Sequence, residues 1–129
     1  MLGDILRLLA VILLFVSLVA CDGGTLWEDG KYQVIWIDAS PPYLAECDPG
    51  MCKDITGERI LSVGSDDRYI VSEFQEKKDG QSSFYIIDKS ISGFNARTDL
   101  PKSVTGPYSK EKFDMKAAEL KLPEFSKHF

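Results

Sequence analysis

Four segments of this chain carry apolar residues on both of the faces that a strand presents, and this constrains the fold more than any other feature. Side chains alternate across a strand with a period of two. In Tyr69–Gln75, Tyr69 and Val71 fall on one face and Ile70 and Phe74 on the other. A sheet of such strands needs cover on each side, at least at its centre. The four segments are residues 31–38, 59–63, 69–75 and 83–88, all rich in β-branched and aromatic side chains. Gly64-Ser65-Asp66-Asp67 turns the second into the third, and Asp79-Gly80 is a hairpin signal between the third and the fourth.

The C-terminal segment changes period. Phe113, Ala117 and Leu120 fall at i, i+4 and i+7, with Lys, Glu and Asp over most of the other face. Ser109 is placed to cap this helix and Pro123 forbids its continuation. The tail from 124 to 129 either packs through Phe125 or frays. Residues 39–55 read as a loop punctuated by Pro41-Pro42, and residues 90–107 as a mixed stretch broken by Gly93, Pro101 and Gly106-Pro107. The expected fold class is α+β: a small antiparallel sheet of about four meandering strands, with one C-terminal helix packed on a face.

The N-terminus has a different character. Arg7, partly offset by Asp4, precedes a run of 12 uncharged residues, 8–19, interrupted in polarity only by Ser17. Such a run covers ~18 Å as a helix, against about 30 Å of bilayer hydrocarbon, so it has the length of a signal peptide rather than of a span. It closes on Leu18-Val19-Ala20-Cys21, which resembles the lipobox of bacterial lipoproteins. The resemblance implies export, cleavage between Ala20 and Cys21, and attachment to the membrane through a diacylglyceryl group on the Cys21 sulfur. Asp22 resembles the inner-membrane retention signal of enteric-type lipoproteins. The implied location is the periplasmic face of the inner membrane, with the outer membrane as the alternative. The chain then divides into a signal peptide at 1–20, a lipidated tether at 21–30 (Gly23, Gly24 and Gly30 being permissive) and a single small domain at 31–129.

Lipidation of Cys21 leaves Cys47 and Cys52, which an oxidising periplasm would join. Between them, Asp48-Pro49-Gly50-Met51 places Pro at i+1 and Gly at i+2 of a type II turn. Such a turn brings its flanks within disulfide reach. A redox CxxC site needs a two-residue gap and a zinc site needs more ligands, so the pair reads as a structural staple.

Removing residues 1–20 from the 129-residue chain leaves 109, one domain by length. The segment removed carries only Arg7 and Asp4, so the net charge stays at −5. That balance argues against nucleic acid, which selects a basic footprint, and suits a basic protein partner as well as ordinary solvation. His128 is the sole histidine and sits beside the C-terminus, where a frayed, solvated side chain is expected rather than a catalytic one. Asp66-Asp67 and the group Glu46, Asp48 and Asp54 lack the ligand spacing of a calcium loop, and no metal or cofactor is expected from them. Most aromatic residues read as core or sheet packing, while Tyr43 beside Pro41-Pro42 is a candidate anchor of a protein interface. No catalytic motif stands out, and an enzyme is not expected.

Four phrases in order, Tyr32-Gln33-Val34-Ile35-Trp36-Ile37-Asp38, Val63-Gly64-Ser65-Asp66-Asp67-Arg68-Tyr69-Ile70-Val71, Tyr85-Ile86-Ile87-Asp88 and Gly106-Pro107-Tyr108-Ser109-Lys110-Glu111-Lys112-Phe113, resemble a group of short, uncharacterised bacterial proteins, many with lipoprotein signals. The likeness implies kinship and no particular chemistry. The expected function is therefore that of a non-catalytic, periplasm-facing lipoprotein acting by protein binding. Its concrete form is an immunity or inhibitor protein against a toxin or cell-wall hydrolase. The alternative is a structural or accessory lipoprotein of an envelope machine.

Overall fold

The computed structural model describes residues 1–18, 23–76, 80–97 and 100–129. Ala20 and Cys21 of the lipobox, Asp22, and Asp79 of the Asp-Gly pair lie outside the described residues. An N-terminal helix, α1 (Leu2–Leu18), covers 17 residues, about 26 Å of rise. Among the described residues no helix is long and apolar enough to cross a membrane.

The remainder is α+β, with antiparallel sheets and a single C-terminal helix. Strands β1 (Gly23–Asp29), β2 (Tyr32–Ile37), β3 (Tyr43–Asp48) and β4 (Met51–Asp54) form a four-stranded meander in that order. Strands β5 (Arg59–Ser65), β6 (Tyr69–Gln75), β7 (Ser82–Asp88), β10 (Val104–Tyr108) and β11 (Lys127–His128) form a second sheet in the order β10-β7-β6-β5-β11. Between β7 and β10, β8 (Phe94–Asn95) and β9 (Leu100–Pro101) make a small ribbon.

Three sheets and eleven strands among the described residues correct the expectation of about four strands. The four expected strands are β2, β5, β6 and β7; the additions lie around them. Residues 23–29, expected as tether, are β1, paired along β2 from Gly23↔Ile37 to Asp29↔Tyr32. Two glycines weaken intrinsic strand preference, but here the backbone ladder decides. A Cβ at Gly23 would stand 2.7 Å from the Trp36 carbonyl oxygen, so the glycine permits the approach. Residues 43–54, expected as loop, form the β3–β4 hairpin, in which Leu44 and Ala45 are buried. Gly50, at φ +86°, supplies the positive φ that the turn after Pro49 requires.

The two large sheets pack face to face. Tyr32, Val34 and Leu44 from the first, with Ile55 just after β4, meet Ile60, Val63, Ile70, Phe74, Tyr85, Ile87 and Val104 from the second. The Tyr32 hydroxyl finds the Ser103 hydroxyl at 3.2 Å, so its burial leaves no polar group stranded. The other face of the second sheet presents Tyr69, Val71, Phe84 and Ile86 to the helix α2 (Lys110–Leu120) and the C-terminal tail. The result is three layers, sheet on sheet with a helix outside. That is what strands apolar on both faces demand.

Ser109 caps α2, its hydroxyl accepting from the Lys112 N–H, and Lys121 closes the helix in the left-handed conformation with its N–H on the Ala117 carbonyl. The expected apolar face is narrower than its periodicity implies. Phe113 is buried and stacks on Phe84 at 4.7 Å between ring centroids, whereas Leu120 keeps 37% exposure. Beyond Pro123 the tail crosses β5 directly over Gly64. A Cβ there would lie 2.9 Å from the Glu124 carbonyl carbon and 3.0 Å from the Phe125 Cα. Phe125 packs on Phe113 and Phe84, and β11 then pairs with β5 as Lys127↔Val63 and His128↔Ser62.

Candidate functional site

The sandwich has two dissimilar ends. At one, the β5–β6 turn is held by charge. The Asp66 carboxylate accepts the N–H groups of Arg68 (2.9 Å) and Tyr69 (2.6 Å), and the Tyr69 bond in particular holds its pKa below the usual carboxylate range. Asp88 is lowered likewise, first by the Ser90 hydroxyl and then by the Arg68 guanidinium, which reaches it at 3.1 Å. Lys89 ties this turn to the other sheet through Asp29 at 2.9 Å. Asp66 is thus occupied with its own turn, as expected. Among the described residues no group of three or more His, Cys, Asp or Glu side chains is placed to hold a metal ion.

The opposite end holds a cleft of about 640 Å³, bordered by the β2–β3 connection, the β4–β5 connection and the start of the β6–β7 connection. Its walls include Ser40 and Pro41 with Tyr43 at the start of β3, Glu58 with Asp54 at the end of β4 and Arg59 at the start of β5, and Glu76 with Gln75 at the end of β6. The Ile60 N–H donates to the Pro42 carbonyl at 3.1 Å, pinning the proline-rich segment beside β5. The Asp54 carboxylate accepts from Thr56 and Gly57 N–H groups and shapes the β4–β5 connection. The described lining combines three acidic residues, Asp54, Glu58 and Glu76, with Arg59 and Tyr43. Such a surface offers an aromatic contact and a negative field to a cationic group.

The sequence-derived candidates fall in different places. Tyr43 and Pro41 line the cleft; Cys47 and Cys52 do not. They form a disulfide across directly paired positions of the β3–β4 hairpin, with Cα atoms 4.0 Å apart. His128 corrects the expectation of a frayed terminus. It belongs to β11, and its Nδ1 lies 2.8 Å from Ser62 Oγ, which also donates to Glu73 Oε1 at 3.3 Å. Serine, histidine and a carboxylate are together, yet in an order that does not relay a proton away from the serine. In a nucleophilic triad the acid orients the imidazole, whereas here the carboxylate engages the buried hydroxyl itself. The arrangement pins the tail to β5.

Glu58, Arg59, Gln75 and Glu76 carry no motif, and only the convergence of three connections makes them neighbours. The polarity of these connections was visible in the sequence; their meeting was not. No known protein family matches this chain, and no curated protein or solved structure is significantly similar to it.

Proposed function

We propose that this chain is a non-catalytic lipoprotein, anchored through Cys21 on the periplasmic face of the inner membrane, that acts by binding another protein through the cleft at the open end of its sandwich. The observation that carries the reading is the cleft. It is walled by three connections and the strand ends that flank them, Tyr43, Asp54, Arg59 and Gln75, on a two-sheet core, and its lining combines an aromatic residue with acidic ones. Connections on a rigid scaffold are where binding residues concentrate. The apolar N-terminal segment followed by a cysteine supports the anchor, and the charge of −5 suits a basic partner. An immunity or inhibitor protein facing a toxin or cell-wall hydrolase is the specific form. An accessory lipoprotein of an envelope machine is the alternative.

Photocrosslinking in cells tests the binding surface. A benzophenone amino acid replacing Ser40, at the cleft, should yield a discrete protein adduct, and the same probe replacing Asp67, at the far end, should not. No adduct from Ser40, or equal adducts from both, would refute the reading. The adduct's identity separates the two forms: a secreted effector means immunity, a resident envelope component means the accessory role. Fractionation tests the sorting signal, and recovery of the mature protein chiefly in the outer membrane would overturn the inner-membrane assignment.

A further inference from the structure

We infer that the cleft faces the bilayer at close range, and that its occupant is the basic, Lys- or Arg-bearing flank of a membrane-embedded protein. The inference rests on the lipid-anchor reading above. Two peptide units separate Cys21 from Gly23, the first residue of β1, a reach of roughly 7 Å. Gly23 pairs with Ile37. The Ser40 N–H donates to the Ile37 carbonyl at 2.9 Å, and Ser40 and Pro41 line the cleft. Attachment point and cleft therefore share one end of the sandwich. The charged turn at Asp66 to Arg68 lies a strand length away, about 20 Å for seven residues.

A tether this short lets the domain tilt but not turn over, because β1 is itself locked into the sheet. Ile37, at 51% exposure, gives the membrane-proximal end an apolar contact. A partner that fills the cleft must present its segment beside the lipid surface. The described lining carries Asp54, Glu58 and Glu76 with Arg59, Lys77 and Lys78 follow Glu76 in the chain, and the domain as a whole is acidic, a balance that favours a basic segment. A lipid ammonium group shares the charge but occupies little of about 640 Å³, a volume in the range of sites for larger ligands.

The test uses the mature, lipidated protein reconstituted into phosphatidylcholine vesicles, with acylation verified by mass and vesicle binding by flotation. A fluorophore on S40C should be quenched by headgroup nitroxides far more than one on D67C, with D38C as a second cleft-end position. A flexible Gly/Ser linker inserted between Asp22 and Gly23 should erase the difference. Equal or reversed quenching in acylated, vesicle-bound protein overturns the orientation while leaving the anchor intact. Absent acylation fails the anchor reading instead. In the second arm, vesicles carry a transmembrane peptide with a lysine-rich flank or a glutamine flank. Energy transfer to the S40C label should favour the lysine flank, and Glu76→Lys should weaken that binding about threefold to fivefold. Equal response to both flanks, no effect of Glu76→Lys, or equal occupancy by phosphatidylethanolamine alone overturns the basic-segment occupant.

Discussion

Replacing Gly64 with alanine should destabilise the protein only while its C-terminal tail is present. Gly64 lies within β5, and the added Cβ would meet the backbone of Glu124 and Phe125 rather than the end of a flexible side chain. Overpacking of a closed contact costs about 1–3 kcal/mol. The ceiling is the worth of the tail, since the chain can relieve the clash by releasing residues 124–129. Release would forfeit the contacts of Phe125 with Phe84 and Phe113, the hydrogen bonds from Ser126 N to Val63 O (3.0 Å) and from Phe129 N to Leu61 O (2.9 Å), and the His128–Ser62 contact. Once the tail is gone, the three nearest contacts of the added Cβ are gone with it, and the lower unfolded-state entropy of alanine favours it by roughly 0.4–1 kcal/mol. Urea denaturation of four proteins decides the matter: wild type, Gly64→Ala, the chain truncated after Pro123, and the combination. The substitution should be destabilising in the first background and neutral or stabilising in the truncated one. Equal destabilisation in both would refute the assignment of the tail to Gly64.

Further outcomes follow from the same packing and electrostatics. Phe113→Ala should cost about 3–5 kcal/mol in urea denaturation, because Phe113 is the buried anchor of α2, while Met115→Lys on its exposed face should stay within about 0.5 kcal/mol. Non-reducing peptide mapping of exported protein should find Cys47 joined to Cys52, and replacing both with serine should cost at most about 2 kcal/mol on the chain-entropy account, with hydrogen exchange rising mainly in the β3–β4 hairpin. Asp66 and Asp88 have depressed pKa values in the fold, so their contribution is present above the unfolded carboxylate value of about 3.9 and is lost as the pH falls through and below it. The urea midpoint should therefore drop between about pH 5 and pH 3, and Asp66→Ala, which removes the acceptor for the Arg68 and Tyr69 N–H groups, should flatten that drop.

The central strands were legible because burial on both faces writes itself into composition: β7 is apolar or small up to Asp88, and β6 departs from that pattern only at Glu73 and Gln75. Edge strands leave a weaker trace. Met51–Asp54 is exposed throughout, and β1 begins with two glycines, so both are held by ladders to β3 and β2 that local propensity does not report. The helix was readable from its period and its cap, yet the extent of its contact was set by a tail that shares the same sheet face. Gly64 was the available clue to that tail, since a glycine inside a strand often marks a close backbone approach. Without it, His128 reads as a loose terminus. The cleft was legible only in Tyr43 and its prolines. Asp54 and Glu58 flank one connection while Glu76 begins another far along the chain, and only the topology brings them together.

Metabolic labelling with a fatty-acid analogue tests the lipid anchor at Cys21 most directly. Two or more acyl chains, at about 0.8 kcal/mol per buried CH₂, make a stable attachment. Wild-type protein should take up the label and fractionate with membranes as a mature species beginning at Cys21. Cys21→Ser should take up none. A wild-type protein that carries no label, or a Cys21→Ser variant labelled to the same extent, would contradict the account.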